Sequence, residues 1–440
     1  MQTTTEPIKR PEDRYLAAFE AHTGHARNGS NPRVNALRRE ALTHFARLGF
    51  PARKAEAWKY TNLRPKLARA YAFDVPAPAL TRDDLAPYAI PGLDAARAVL
   101  VNGRFVPALS SLDGLPEGVV VTGLAEAAGT YPELFDRHFS RYADYRGEVF
   151  AALNTAFARD GLFVYVPKNT VVERPIHVLS LLHTDAEAFL QPRLLVVAER
   201  SAQVRLIETR HARTDTPTFT NGVTELFAGP NAHVDLFTLQ DEGDAAAQVA
   251  SLYAYQEADS YLATGTITLS GDLVRNTQNY LPDAENCETH LRGLFLGHGS
   301  MHVDNHTLVD HAKPHCFSNE LFKGILADRA TGVFNGKVFV RPDAQQTNAY
   351  QENKTVLLSE AARMYAKPEL EIYADDVKCS HGATTGRLDA EAMFYLRSRG
   401  LTEGQARRML LLAFARDVID EIAVEPLRVY LDRLIERRLA

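Results

Sequence analysis

The sequence predicts a mainly β protein, with a long central region of short strands between helical ends. Three observations carry this. Between residues 161 and 386, short runs rich in β-branched and aromatic residues follow one another, and almost nothing has a long helical period. Gly, Asn and Asp punctuate these runs as short corners, with few of the Asn-Gly pairs that mark hairpins. On both sides the texture turns to helical spacing. A sandwich, a propeller and a β-solenoid all fit such a region. Alternating polar and apolar runs joined by short corners favour the solenoid. A strict repeat would settle the matter, and none is visible.

Three domains are expected: residues 1–160, mostly helical; 161–386, the β region; and 387–440, helical again. In the first, Val34, Leu37, Ala41, Phe45 and Leu48 recur at helical spacing, and Gly49 supplies a stop. The segment 54–61 follows and holds the only tryptophan, Trp58, which reads as an aromatic anchor on the body of the protein. Residues 76–130 mix prolines with short apolar runs and predict no single element. The β runs then include 162–166, 176–182, 193–198, 203–208, 232–239, 261–269, 291–296, 332–340 and 369–373. In the last domain, Asp389 caps a helix that ends at Gly400. Thr402 and Gln405 form a capping box for a helix over 403–422, apolar on nearly every face from Met409 to Ala415. Pro426 opens a final helix over 426–438 with a stripe of Leu427, Tyr430, Leu431, Leu434 and Ile435.

The 440 residues carry a formal net charge of -6, and 45% are hydrophobic. A mild acidic balance argues against nucleic acid, whose binders present a basic face. No run approaches the ~18 consecutive apolar residues of a membrane span. The N-terminus has no apolar core that would serve as a signal peptide. The three cysteines, Cys287, Cys316 and Cys379, form no CxxC, so neither a zinc site nor a disulfide framework is indicated. A cytoplasmic location is the expectation.

The densest set of potential ligands is His290, His298, His302, His306, His311 and His315, beside Cys287 and Cys316. These histidines are expected to bond to backbone groups at solenoid corners. Residues 332–338 (GVFNGKV) have the outline of a phosphate loop. They fail its spacing, and Val338 stands where Ser or Thr must reach magnesium; a strand corner is the reading, and no nucleotide is expected to bind. Asp375 and Asp376, adjacent in sequence, would point to opposite sides of a strand. Cys379 and His381 are two apart, so in an extended chain they face the same way. Lys378 beside the thiol would favour its thiolate. A soft sulfur and an imidazole on one face suit transient iron or sulfide binding.

Several stretches together, in order, resemble the SufB/SufD family of iron–sulfur cluster assembly scaffolds. They are 56–61 (EAWKYT), 320–324 (ELFKG), 332–338, 345–349 (QQTNA), 367–377 (KPELEIYADDV), 379–382 (CSHG) and 396–400 (LRSRG). The likeness is dense over 290–420 and patchy before. The stretch 378–384 (KCSHGAT) is similar to the SufD branch; a SufB-like subunit is the alternative. The resemblance implies a right-handed parallel β-helix flanked by N- and C-terminal helical domains. It implies a scaffold, not an enzyme, working in a SufBCD complex. The β-helix would pair with a SufB-like subunit, and the C-terminal helices would hold a SufC-like ATPase. Cys379 and His381 would lie at the SufB interface, where a nascent cluster or iron is held transiently. A β-helix enzyme, such as a polysaccharide lyase or a metal-dependent transferase, is the competing class; it would need a charged groove that the sequence does not display.

Overall fold

The computed structural model describes residues 10–23, 31–52, 54–76 and 78–439. From Ala96 onward the chain lays strands alternately into two ten-stranded sheets. Along most of the body each strand pairs in parallel with the strand two before it and the strand two after it. The result is a parallel β-solenoid of about eight turns, the architecture that the short unpaired runs favoured. Ladder partners lie one coil apart, and the coil length drifts: Ala247 pairs Leu273 and Thr331 pairs Arg363, separations of 26 and 32 residues. That drift is why no fixed period is visible in the sequence.

A regular corner is nonetheless built into each coil. Ser201, Asn231, Asp259, Asn286, His315 and Gln346 all take positive φ. Asn and Asp tolerate this left-handed conformation better than most residues, because a short polar side chain can bond locally. In five of the six the next residue is small (Ala202, Ala232, Ser260, Cys287 and Cys316), and with Thr347 after Gln346 all six following residues are fully buried. A strand starts immediately after it. Cys287 and Cys316 are two rungs of this buried stack, and both thiols donate to the Ala284 carbonyl at 3.2 Å.

The outer face of each sheet is covered by one helical end of the chain. Tyr15, Phe19 and Phe45, from helices Pro11–Thr23 and Pro32–Leu48, meet Phe150 and the strand residues Phe189, Phe219 and Val249. Every residue of helix Val149–Phe157 is buried there. Two buried ion pairs fasten this region. Arg193 and Glu225, both inaccessible, pair beneath the loop 140–143, whose amides also donate to Glu225. Arg275 bonds Asp304 at 2.6 Å and the Ala57 carbonyl at 2.7 Å, with its guanidinium 3.9 Å from the Trp58 ring centre. Trp58, on the short 3-10 turn Glu56–Trp58, is thus an anchor on the solenoid.

The helices Glu403–Ile419 and Glu425–Arg438 lie along the opposite flank. The capping box of Thr402 and Gln405 is present, as is Pro in the first turn of the second helix. Leu411, Ala415, Leu427, Leu431 and Ile435 pack on Phe237, Ile267, Leu294 and Ile325 of the sheet. Lys323, almost fully buried, projects outward from strand Phe317–Leu326; it donates to the Phe414 carbonyl at 3.0 Å and pairs Asp417. The tail therefore clads the side of the solenoid rather than its end. Among the described residues no helix is long and apolar enough to cross a membrane.

Candidate functional site at the open end of the solenoid

The two ends of the solenoid differ. At the N-terminal end both sheets finish in short antiparallel strands, Arg104–Phe105 and Val120–Gly123. At the C-terminal end the last strands, Arg363–Ile372 and Lys378–Gly386, are the outermost of their sheets. Neither contains a buried residue, although the strand before them, Asn348–Leu357, alternates buried and open positions in the usual way. The last coil thus presents unpaired backbone groups and an uncovered interior, a combination that proteins normally protect.

Cys379 and His381 lie on strand Lys378–Gly386, where in-register pairing fixes their direction. Cys379 pairs Ala349 and His381 pairs Gln351, and both partners are buried inward-facing residues. Cys379 and His381 therefore share the inward row of the last coil. The thiol is half-buried against Val338, Val340 and Ala349, and the imidazole is exposed because no further coil covers it. Burial pushes the Cys379 thiol up, with a backbone hydrogen bond at Ala349 opposing. The expectation that Lys378 would lower it does not hold: Lys378 occupies the alternate, outward row. A metal that binds this sulfur must displace its proton.

Behind His381 runs a polar column that the sequence reading did not single out. Glu320, Gln351 and His381 occupy successive rungs of one inward row. Thr307, from the facing sheet, donates to Glu320 Oε1 at 2.6 Å, and Gln351 Nε2 donates to Glu320 Oε2 at 2.9 Å. Burial pushes the Glu320 carboxyl up to about 7, opposed by those two donors. The ELFKG stretch contains Glu320 and was noted only for its resemblance; a charged residue alternating with apolar ones reads as solvent-facing unless the strand is known to be buried on both faces.

Other expectations are corrected. Residues 332–338 are not a corner but the middle of strand Thr331–Val340. Gly332 and Gly336 face inward where a Cβ would collide with Met364 and Gln351. Asp375 and Asp376 sit in the corner before the last strand, not on opposite faces of one. The histidines do not bond corner backbone groups but side chains: His290 to Glu288, His298 to Asp244, His302 to Thr61, His306 to Asp304 and His311 to Ser318. Of the six, His298 and His315 stand at corners, and His315 is the residue of positive φ at its own. Among the described residues no three His, Cys, Asp or Glu side chains converge as a metal site. Cys379 and His381 are thus two donors, and a cluster takes about four.

A second unpartnered surface adjoins the site. Helix Ala390–Ser398, capped by Asp389, buries none of its residues, and Phe394 and Tyr395 stand exposed. Met409, on the next helix, is half exposed.

Comparison with known proteins matches most of the chain. A family described as SUF system FeS cluster assembly, SufBD core domain, matches residues 181–414, and one described as SufBD protein N-terminal region matches residues 9–178. An iron–sulfur cluster assembly SufBD family protein of Synechocystis is 34% identical over 413 residues, 91% of this chain and 90% of that one. Iron–sulfur cluster assembly protein SufD of Escherichia coli is 30% identical, covering 90% and 91%. SufD of Bacillus subtilis is 29% identical, covering 73% and 74%. With both family regions matched in order, the solenoid running through both, the chain belongs to the SufBD family of iron–sulfur cluster assembly proteins, beside its SufD members.

Proposed function

We propose that this chain is a non-enzymatic scaffold subunit that holds a nascent iron–sulfur cluster, as cargo, between itself and a SufB-like subunit. The observation that carries this reading is the last coil, open along both strand edges, with Cys379 and His381 on its inward row. A second solenoid end pairing there would satisfy the edge amides and carbonyls, cover the interior and bring the missing donors. The thiolate and imidazole would be this chain's share of the ligands for iron or cluster. A SufC-like ATPase docks on the C-terminal helices, where Phe394, Tyr395 and Met409 supply exposed apolar contacts. Arg407 and Arg408 lie beside Met409 and form a charged rim. Lys323 ties the same helices to the strand that carries Glu320, so a pull on the helices reaches the coil below the site.

The two docking surfaces are separable by substitution. In co-expression with a SufB-like subunit and a SufC-like ATPase, Ile372→Asp at the open end is expected to release the SufB-like subunit and keep the ATPase. Met409→Asp is expected to do the reverse. Retention of both partners by both variants, measured by co-purification and subunit stoichiometry, would contradict the assignment.

A further inference from the structure

We infer that Gln351, braced by Glu320, is a positioning residue that fixes the ring of His381 so that one nitrogen faces the cargo. This rests on the reading of His381 as a ligand given above, and it adds what sets that ligand's orientation.

Gln351 is about 2% exposed, yet its Oε1 has no hydrogen-bond partner. Buried acceptors without a donor are rare, and each calls for an explanation. The direction of the amide is set by its other end. Nε2 donates to Glu320 Oε2, which leaves Oε1 as the free end of the amide. Glu320 is itself held in place by Thr307 across the interior. Gly336 leaves the space that the Gln351 amide fills, since a Cβ there would lie 2.5 Å from Nε2. Four residues from four strands and both sheets thus hold one carbonyl oxygen in a fixed place.

What lies beyond that oxygen along the row is His381, its in-register neighbour in the last coil. Adjacent strands stand about 4.8 Å apart, a spacing that a ring N–H and a side-chain carbonyl can bridge. An imidazole whose one nitrogen donates to a fixed acceptor has its tautomer set, and the other nitrogen is left unprotonated for a metal. Metal-ligating histidines generally have such a partner, often a carboxylate or carbonyl. One coil further back the row holds the apolar Leu291, and behind it Thr264, whose hydroxyl is satisfied by Tyr280. From Leu291 the row continues through Glu320, Gln351 and His381, three polar rungs in succession up to the open end.

The test reads the ring directly. In the full-length chain with 15N-labelled histidine, the His381 signals are identified by their loss in His381→Ala. The wild type is expected to show a single neutral tautomer at His381, and Gln351→Leu the tautomer mixture of a free imidazole. Glu320→Gln keeps an acceptor for Nε2 and is expected to keep the single tautomer. If the leucine variant does not fold, Gln351→Met, closer in shape, removes the same acceptor. In the assembled complex, iron(II) affinity is expected to fall about 10- to 100-fold in the Gln351 variant. A single tautomer persisting without Gln351, or unchanged iron affinity, would overturn the inference. If instead His381→Ala itself binds iron as the wild type does, the ligand reading fails, whatever the tautomer.

Discussion

Glu225→Ala is expected to lower the unfolding free energy by about 3–5 kcal/mol, the usual cost of leaving one member of a buried ion pair alone. Arg193 would lose its carboxylate while remaining inaccessible to water. It would keep only neutral partners, Asn154, Thr155 and Ser140, and the face of Phe139. The amides of Ser140, Tyr142 and Ala143 would lose their acceptor at the same time. Those amides join the loop before helix Val149–Phe157 to the sheet, so the N-terminal cladding should loosen first. Urea unfolding, followed by fluorescence of Trp58 on that cladding, measures both effects. A loss under 1 kcal/mol would mean that the pair contributes no more than a surface one.

Truncation after Gly400 should have a still larger effect. A tail that served only as a docking arm would be dispensable for folding, but these helices cover Ile207, Phe237, Ile267, Leu294, Leu296 and Ile325. At roughly 1.5–3 kcal/mol for each large apolar side chain returned to water, the loss is on the order of 10 kcal/mol, comparable with the whole stability of a typical domain. The truncated chain is expected to aggregate on expression. A monodisperse product with unchanged secondary structure would show that the flank does not need its cover. ATPase docking is for this reason better tested by surface substitutions such as Met409→Asp.

The parts of the fold that sequence spacing made legible are those with local signals. The cap at Asp389, the box at Thr402 and Gln405, and the stop at Gly49 depend on a few neighbouring residues, and the structure has all three. The coil repeat was not legible, because its length drifts while its corner is marked by residues as different as Ser201, His315 and Gln346. What they share is a backbone angle followed by a buried position, and neither is a residue type. Trp58 was recognisable as an anchor, but its partner Arg275 lies more than 200 positions away, where no spacing rule reaches. At the end of the solenoid, period-two spacing sufficed to put Cys379 and His381 on one row. It did not tell which row faced inward, and so it made a neighbour of Lys378 that the pleat turns away. Glu320 and Gln351 stayed hidden for the same reason: only the three-dimensional register stacks them beneath His381.

Anaerobic reconstitution tests the account most directly. The complete complex, with its SufB-like and SufC-like partners, would be loaded with iron(II) and sulfide, using the wild-type chain and the Cys379→Ala and His381→Ala variants. Cluster content per complex is the quantity measured, by visible absorbance and iron analysis. Two small side chains contribute little to an interface of two solenoid ends, so both variant complexes should form with unchanged stoichiometry, while cluster content falls about tenfold or more. Wild-type cluster content in both variant complexes would contradict the claim that this open end is where the cargo is held.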